Sequence, residues 1–213
     1  MARAPTVHHI GKARPMIYEI HRYPVDMIDV VRLAGGDRVV IRPVLPQDEE
    51  LTAAFFHGLS ALARHNRFMA GMHRLPPELM RRLVQVDYGS HLALVAEVFA
   101  EGRESVVAEA RYVRSADPIV AEFAVSVADP WQGKRLATLL LDKLACRAAA
   151  EGVRHMVGQT LASNVPMLAL ARKVGFTIVP STEVRGVMLL ERRLQSPAAG
   201  SICFGAGLSA LAA

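Results

Sequence analysis

Glu122-Phe-Ala-Val-Ser-Val-Ala-Asp-Pro-Trp-Gln-Gly-Lys-Arg-Leu-Ala-Thr138 is the most informative stretch of the 213-residue chain. Its first half, through Val127, is apolar and β-branched and predicts a strand. Asp129-Pro130 ends that strand. Gly133 and the adjacent cations Lys134 and Arg135 follow, and then Leu136, Leu139, Leu140 and Leu144 recur at helical spacing. A strand that passes through a basic turn into a helix offers unpaired backbone N–H groups to an anion, and the helix N-terminus adds partial positive charge. Lys134 and Arg135 add two full charges suited to phosphate oxygens. Neither the P-loop pattern nor the Gly-x-Gly-x-x-Gly dinucleotide pattern is present, so the turn is neither of those. A solvated turn with two exposed cations would read the same way.

Outward from that stretch the elements alternate. Upstream, Arg38 to Arg42 is a short β-branched run closed by Pro43, hence a strand. Acidic Gln47-Asp-Glu-Glu50 precedes Leu51, Phe55, Phe56, Leu59 and Leu62, which predicts a helix from about Gln47. A second helix begins at Pro76-Pro77-Glu78. Leu92–Phe99, Ser105–Val113 and Ile119–Val127 are apolar runs separated by short turns, the pattern of an antiparallel meander. Downstream, a helix covers Arg135 to Glu151 and is ended by Gly152. Val153–Thr160 is a strand, Val165–Val174 a helix stopped by Gly175, and Phe176–Val179 and Val184–Leu194 are strands. The fold class is therefore α/β, a mixed and mostly antiparallel sheet with helices on both faces. Residues 1–35 lack periodicity and are expected to be an N-terminal extension. Residues 36–194 are expected to form the domain, and 195–213, rich in Gly, Ala and Ser, a disordered tail.

Composition narrows the classes. Hydrophobic residues are 52%, charged residues 21%, and mean hydropathy is +0.23, which excludes a chain disordered throughout. The net charge of +5 suits a polyanionic ligand, but the arginines are spread along the chain rather than clustered in a nucleic-acid stripe. No signal peptide or uniformly apolar run of membrane-spanning length is read. Two cysteines, Cys146 and Cys203, cannot build a disulfide framework or a four-cysteine zinc site, so a reducing compartment, the cytoplasm, is expected. Cys146, amid Leu144, Ala145 and Ala148, is expected to be core filler. The eight histidines form no metal pattern, so no metal is expected. Trp131 is expected to be a packing anchor.

A second stretch, Thr160-Leu-Ala-Ser-Asn164 through Gly175-Phe176, gives the first its context. Together they resemble the GNAT (Gcn5-related N-acetyltransferase) family, specifically the acetyltransferase domain of bacterial protein-lysine acetyltransferases. The pyrophosphate loop of that family, Gln/Arg-x-x-Gly-x-Gly/Ala, is matched by Gln132-Gly133-Lys134-Arg135-Leu136-Ala137. Asn164 and the Gly175-Phe176 pair match downstream. The Arg38–Arg42 strand and the Leu59-Ser60 to Arg67-Phe68 region match upstream. The resemblance implies an acyl-CoA N-acyltransferase fold over about 36–194, with acetyl-CoA as cosubstrate. It implies cofactor contacts from Gln132, Gly133, Lys134, Arg135, Leu136, Ala137, Thr138 and Asn164. It also implies that the backbone of Val125 and Val127 pairs with the pantetheine arm as an added strand. Two positions depart from the pattern. Arg135 stands at the central glycine, and Ala171 stands where many members carry a tyrosine general acid.

The chemistry implied is direct acetyl transfer from a thioester to an amine, which must lose a proton because a free lysine has a pKa of about 10.4. Glu122 is the candidate base. It lies in an apolar stretch, and a carboxylate held against apolar neighbours has a raised pKa; the resemblance also implies a glutamate there. By period-two alternation Glu122, Ala124 and Ser126 share one face of their strand, which lines a substrate cleft or faces water. Asn164 is also a plausible N-cap for the helix that follows it. The acceptor is expected to be a protein lysine or a small amine, with no nucleic acid or membrane partner and a second copy of the chain as a candidate partner. The alternative is a CoA-binding regulatory module without turnover, favoured by Arg135 and Ala171.

Overall fold

The computed structural model describes residues 22–100, 102–196, 203–204 and 209–210. The three central apolar runs form β3 (His91–Ala100), β4 (Arg103–Arg114) and β5 (Val120–Val127), an antiparallel meander as the turn chemistry requires. On their flank lie β2 (Arg38–Pro43) and β1 (Asp29–Arg32). Beyond β5 come β6 (His155–Leu161), β8 (Val187–Arg193) and β7 (Thr177–Pro180). The sheet order is β7-β8-β6-β5-β4-β3-β2-β1-β9, where β9 is the two-residue segment Ser209–Ala210. Among the described residues only β5–β6 and β1–β9 pair in parallel, so the sheet is mixed and mostly antiparallel.

Side-chain alternation along β4 sends Glu109 and Arg111 to one face and Ala108, Ala110 and Tyr112 to the other. The first face is covered by α1 (Glu49–Gly58), α2 (Ala61–Phe68) and α3 (Pro77–Val84). The opposite face carries α4 (Leu136–Ala150), whose Leu136, Leu140, Leu141 and Leu144 are almost wholly buried. The small α5 (Val165–Lys173) packs by β7. Burial of a leucine of this kind is worth about 1.5–3 kcal/mol, so the α4 stripe fixes the helix that begins at the basic turn.

Four expectations change. The domain does not start at Gly36: Asp29–Arg32 pairs with Ile41–Arg38, and Met27, Val31 and Leu33 are buried. Only four residues of that strand alternate, too short a run to register as periodic. The helix expected from Gln47 through Leu62 is two helices, because Ser60 breaks it and caps α2, its Oγ accepting the Ala63 N–H at 3.2 Å. Cys146 is not filler but is bonded to Cys203, which removes the cysteine-based ground for a reducing compartment. Cys203 and Phe204 lie against α4, and Ser209–Ala210 joins the sheet, so these parts of the expected tail are ordered. Residues 197–202, 205–208 and 211–213 of that tail, and residues 1–21 with His8 and His9, lie outside the described residues. Among the described residues no helix is long and apolar enough to cross a membrane.

Candidate active site

The parallel contact of β5 with β6 is short. Val120, Ala121 and Glu122 pair with His155, Met156 and Val157, and there the pairing stops. β5 continues to Val127 bonded to β4 alone. Phe123, the first residue past the last pair, lays its ring against Gly158 and stacks at 4.7 Å on Phe176. A Cβ at Gly158 would sit 2.7 Å from the Phe123 ring, so the ring acts as a wedge that only glycine admits. The two strands splay, and the gap widens into a cleft of about 460 Å³ walled by Phe123–Val127 on one side and by Gln159, Thr160 and α5 on the other.

Backbone groups on a strand point alternately to its two edges. The Ala128 N–H bonds to Val107 on the β4 side. By alternation the N–H and C=O groups of Phe123, Val125 and Val127 point into the gap. One of them is engaged: the Gln132 amide donates to the Val127 carbonyl at 3.2 Å.

Val125, Val127, Gln132, Gly133, Arg135, Leu136, Ala137, Thr138 and Asn164 all border the cleft. Gly133 has φ +76° and Arg135 φ +65°. Arg135 therefore keeps the left-handed backbone for which glycine is normally used, at about 1–2 kcal/mol, and α4 starts at the next residue. This is the kind of local strain that concentrates at functional sites. Lys134 departs from the expectation. Its Nζ is 2.7 Å from Asp37 in the β1–β2 turn and 4.4 Å from the Trp131 ring centre, and it does not border the cleft. Trp131 thus does pack, against a cation. Asn164 caps α5, its Oδ1 accepting from the Met167 N–H at 3.3 Å while its Nδ2 donates to Thr160 at 3.1 Å.

Glu122 stands at the apex of the splay, the last residue that pairs with β6. Its side chain is exposed rather than held against apolar neighbours, so the burial argument made for it fails. Glu109, four β4 positions toward the loop end, is buried and hydrogen-bonded by Arg111. Burial pushes its carboxyl up, but Arg111 and Arg67 outweigh burial and hold it below the usual carboxylate range. It is sequestered as an ion-pair partner and is no rival as a base. Ala171 is fully buried in α5 and offers no acid. Gly158, Asp37, Arg67 and Ser126 were not singled out from sequence as site residues; a glycine inside a strand is the one local signal among them. Among the described residues no cluster of three or more metal-ligating side chains occurs.

The model of the Acetyltransferase (GNAT) family matches residues 60–176. The chain is similar to Acetyltransferase PA5475 of Pseudomonas aeruginosa, 33% identical over 147 residues that cover 69% of this chain and 79% of that protein. It is also similar to Acetyltransferase Pat of Mycolicibacterium smegmatis, 30% identical over 162 residues, 76% of this chain but only 47% of that protein. Among solved structures, the GNAT domain of S. lividans PAT superposes with a TM-score of 0.74 at 28% identity, covering 81% of this chain and 100% of that one. The chain belongs to the GNAT family of acetyltransferases, and the enzyme class that goes with it is N-acetyltransferase.

Proposed function

We propose that the protein moves the acetyl group of acetyl-CoA directly to a primary amine, of a protein lysine or of a small molecule. The open edge of β5 carries this reading. Amides along a pantetheine arm pair with the edge groups of Val125 and Val127 as an added strand, which fills the gap where β6 has left. The pyrophosphate then falls at Gly133–Thr138, on the N-terminus of α4, where unpaired N–H groups and the helix dipole favour negative charge. The thioester end lies near Glu122. An amine enters as ammonium, Glu122 takes its proton directly or through a water, and nitrogen attacks the thioester carbonyl. The N–C bond forms, the C–S bond breaks, and the second proton that the nitrogen must lose passes to the departing thiolate, so CoA is released as the free thiol. A thiol pKa of about 8.5 makes that thiolate an adequate leaving group without the acid that Ala171 cannot supply. Use of acetyl-CoA goes with the cytoplasm.

The test has two stages. Acetyl-CoA should bind in isothermal titration and raise the melting temperature by mass action. Silence in both at millimolar ligand removes the assignment. Amines and lysine peptides should then release free CoA thiol. Binding without release from any acceptor would leave a CoA-binding module without turnover.

A further inference from the structure

One carboxylate ties two walls of the cleft together. Glu122, Ala124 and Ser126 of β5 stand opposite Val113, Arg111 and Glu109 of β4, so they share the sheet face that α1, α2 and α3 cover. On that side α2 borders the cleft with Leu62, Ala63, Asn66 and Arg67. It has little of its own to hold it there. None of its eight residues is buried, in contrast to the leucine stripe of α4. Its side chains tie it back to α1: the rings of Phe68 and Phe56 have their centres 5.6 Å apart, and Arg64 donates to the carbonyls of His57 and Leu59. Among the described residues, the hydrogen bonds that join 60–68 to anything beyond α1 and Leu59 both end on Asp129.

Asp129 stands where β5 ends. It opens the short 3-10 turn Asp129–Trp131 just past Val127, and its carbonyl accepts the Gln132 N–H at 3.2 Å, so it is also the foot of the Gln132–Thr138 loop. Its Oδ2 accepts the Ser60 N–H at 3.1 Å, and its Oδ1 accepts the Ser60 hydroxyl at 2.9 Å. The hydroxyl is thereby oriented: its proton goes to Asp129, which leaves a lone pair for the Ala63 N–H at 3.2 Å, the cap of α2. Asp129 forms no ion pair among the described residues, so both of its oxygens are given to Ser60. Ser60 and Asp129 both border the cleft. The tie refers the wall made by α2 to the same strand that carries Glu122 and the open edge of Val125 and Val127.

We propose that Asp129 is a positioning residue for acetyl transfer: through Ser60 it sets α2 at the distance from β5 at which an amine meets both Glu122 and the thioester. The proposal rests on the acetyltransferase reading above. Asp129 takes no proton in the step. Displacing a positioned reactant by about 1 Å costs on the order of 10²-fold, so losing the tie should lower kcat/KM for the amine by roughly 10- to 100-fold.

The test uses the alkylamines and lysine peptides that release CoA thiol from the parent. Asp129→Ala should show the full loss in kcat/KM for the amine. Asp129→Asn keeps one accepting oxygen and should lose only part of it. The Kd for acetyl-CoA, measured by calorimetry, should stay close to that of the parent in both. The pH–rate profile should keep its shape, because Glu122 is untouched. Ser60→Ala should lower kcat/KM in the parent but add little in the Asp129→Ala background, since the hydroxyl then has no carboxylate to meet. Hydrogen exchange should speed up in the amides of α2 in Asp129→Ala and not in those of α4. An unchanged kcat/KM for the amine in Asp129→Ala overturns the proposal, as does unchanged exchange in α2. A matching loss of acetyl-CoA affinity also overturns it, because Asp129 would then support the loop alone, and a shifted pH profile would place it in the proton transfer instead. No thiol release from the parent with any amine is a failure of the acetyltransferase reading, is seen before any variant is made, and takes the proposal with it.

Discussion

Lys134 Nζ lies 2.7 Å from Asp37 Oδ2, so the turn of the first hairpin holds a cation of the Gln132–Thr138 loop away from the cleft. Both side chains are over a third exposed, and a pair of this kind contributes less than about 1 kcal/mol. Phosphate can therefore compete for the lysine. Asp37→Asn should leave stability nearly unchanged and lower the KM for acetyl-CoA by up to several-fold, an effect that shrinks at high salt. Lys134→Gln should raise that KM. Steady-state kinetics at two salt concentrations checks both. If neither variant moves the KM, Lys134 has no part in cosubstrate binding.

Arg135 at φ +65° gives a comparison of two variants in which the side chain is lost either way. Glycine relieves the left-handed strain and alanine does not. Arg135→Gly should be more stable than Arg135→Ala by about 1 kcal/mol. Urea midpoints at constant m-value measure this, and equal midpoints would mean that the loop relaxes out of the conformation described.

Phe123 against Gly158 is the wedge that opens the sheet. Gly158→Ala places a methyl 2.7 Å from the ring and forces it to shift. The cost should be about 1–3 kcal/mol, as for overpacking in a core. Acetyl-CoA affinity should fall with it, because the ring forms the inner wall of the cleft. Thermal melts and titration calorimetry on one sample test both together. An unchanged melting temperature would show that the ring is free to move.

Glu122 as base predicts a loss of turnover of roughly 10²–10⁴ in Glu122→Gln, the usual worth of a general base. The loss should shrink as pH rises, since deprotonated amine is then available unaided. A pH–rate profile of the variant beside the parent decides. An equal rate at pH 7 takes Glu122 out of the mechanism and leaves a water chain as the route for the proton, since Glu109 is bound to Arg111.

His91 supplies a pH dependence of stability. Burial pushes its imidazole down to about 4, Arg111 and Arg82 add to that push, and Asp87 and Glu109 oppose it. Its Nε2 lies 3.2 Å from Arg111 Nη1, a contact that requires the neutral ring to accept. The folded value is below the ordinary 6.5, so between pH 6.5 and 4 the unfolded chain binds the extra proton. Stability should therefore fall as pH drops through that window, by up to about 3 kcal/mol. Glu109, held low in the fold, adds a separate loss below about pH 4.5. His91→Gln should flatten the upper window and leave the lower. Denaturant midpoints from pH 7 to 3.5 show whether it does.

The meander, α4, β6, α5 and the loop between Gln132 and Thr138 were all readable along the chain, because each is local: a periodic apolar run bounded by turn residues. Asn164 was readable in its capping role for the same reason. What was not readable depended on partners distant in sequence. Asp37 meets Lys134 across 97 residues, and Cys146 meets Cys203 across 57. Four residues of β1 alternate too briefly to register as a strand. The surroundings of Glu122 were misjudged because its apolar sequence neighbours alternate to the other face of the strand, and burial of Phe123 says nothing about burial of Glu122. Arg67 was visible only as part of a matched region. Its place beside the cleft is a property of the assembled fold.

The bond between Cys146 and Cys203 makes the end of the chain a clasp. It joins the middle of α4 to a segment that continues into β9, and β9 lies along β1. β1 carries Asp29, which takes Lys143 of α4 at 2.5 Å, and the same lysine lies 4.9 Å from the Phe204 ring centre. From β1 the chain turns at Asp37 and reaches Lys134 at the other end of the helix. The helix that presents its N-terminus to the cleft is thus gripped at both its start and its middle, by the β1–β2 hairpin and by the segment at Cys203, once covalently. Cutting that bond with a reductant loosens a circuit that runs back to the Gln132–Thr138 loop, so Cys203 and β9 bear on that loop although neither borders the cleft.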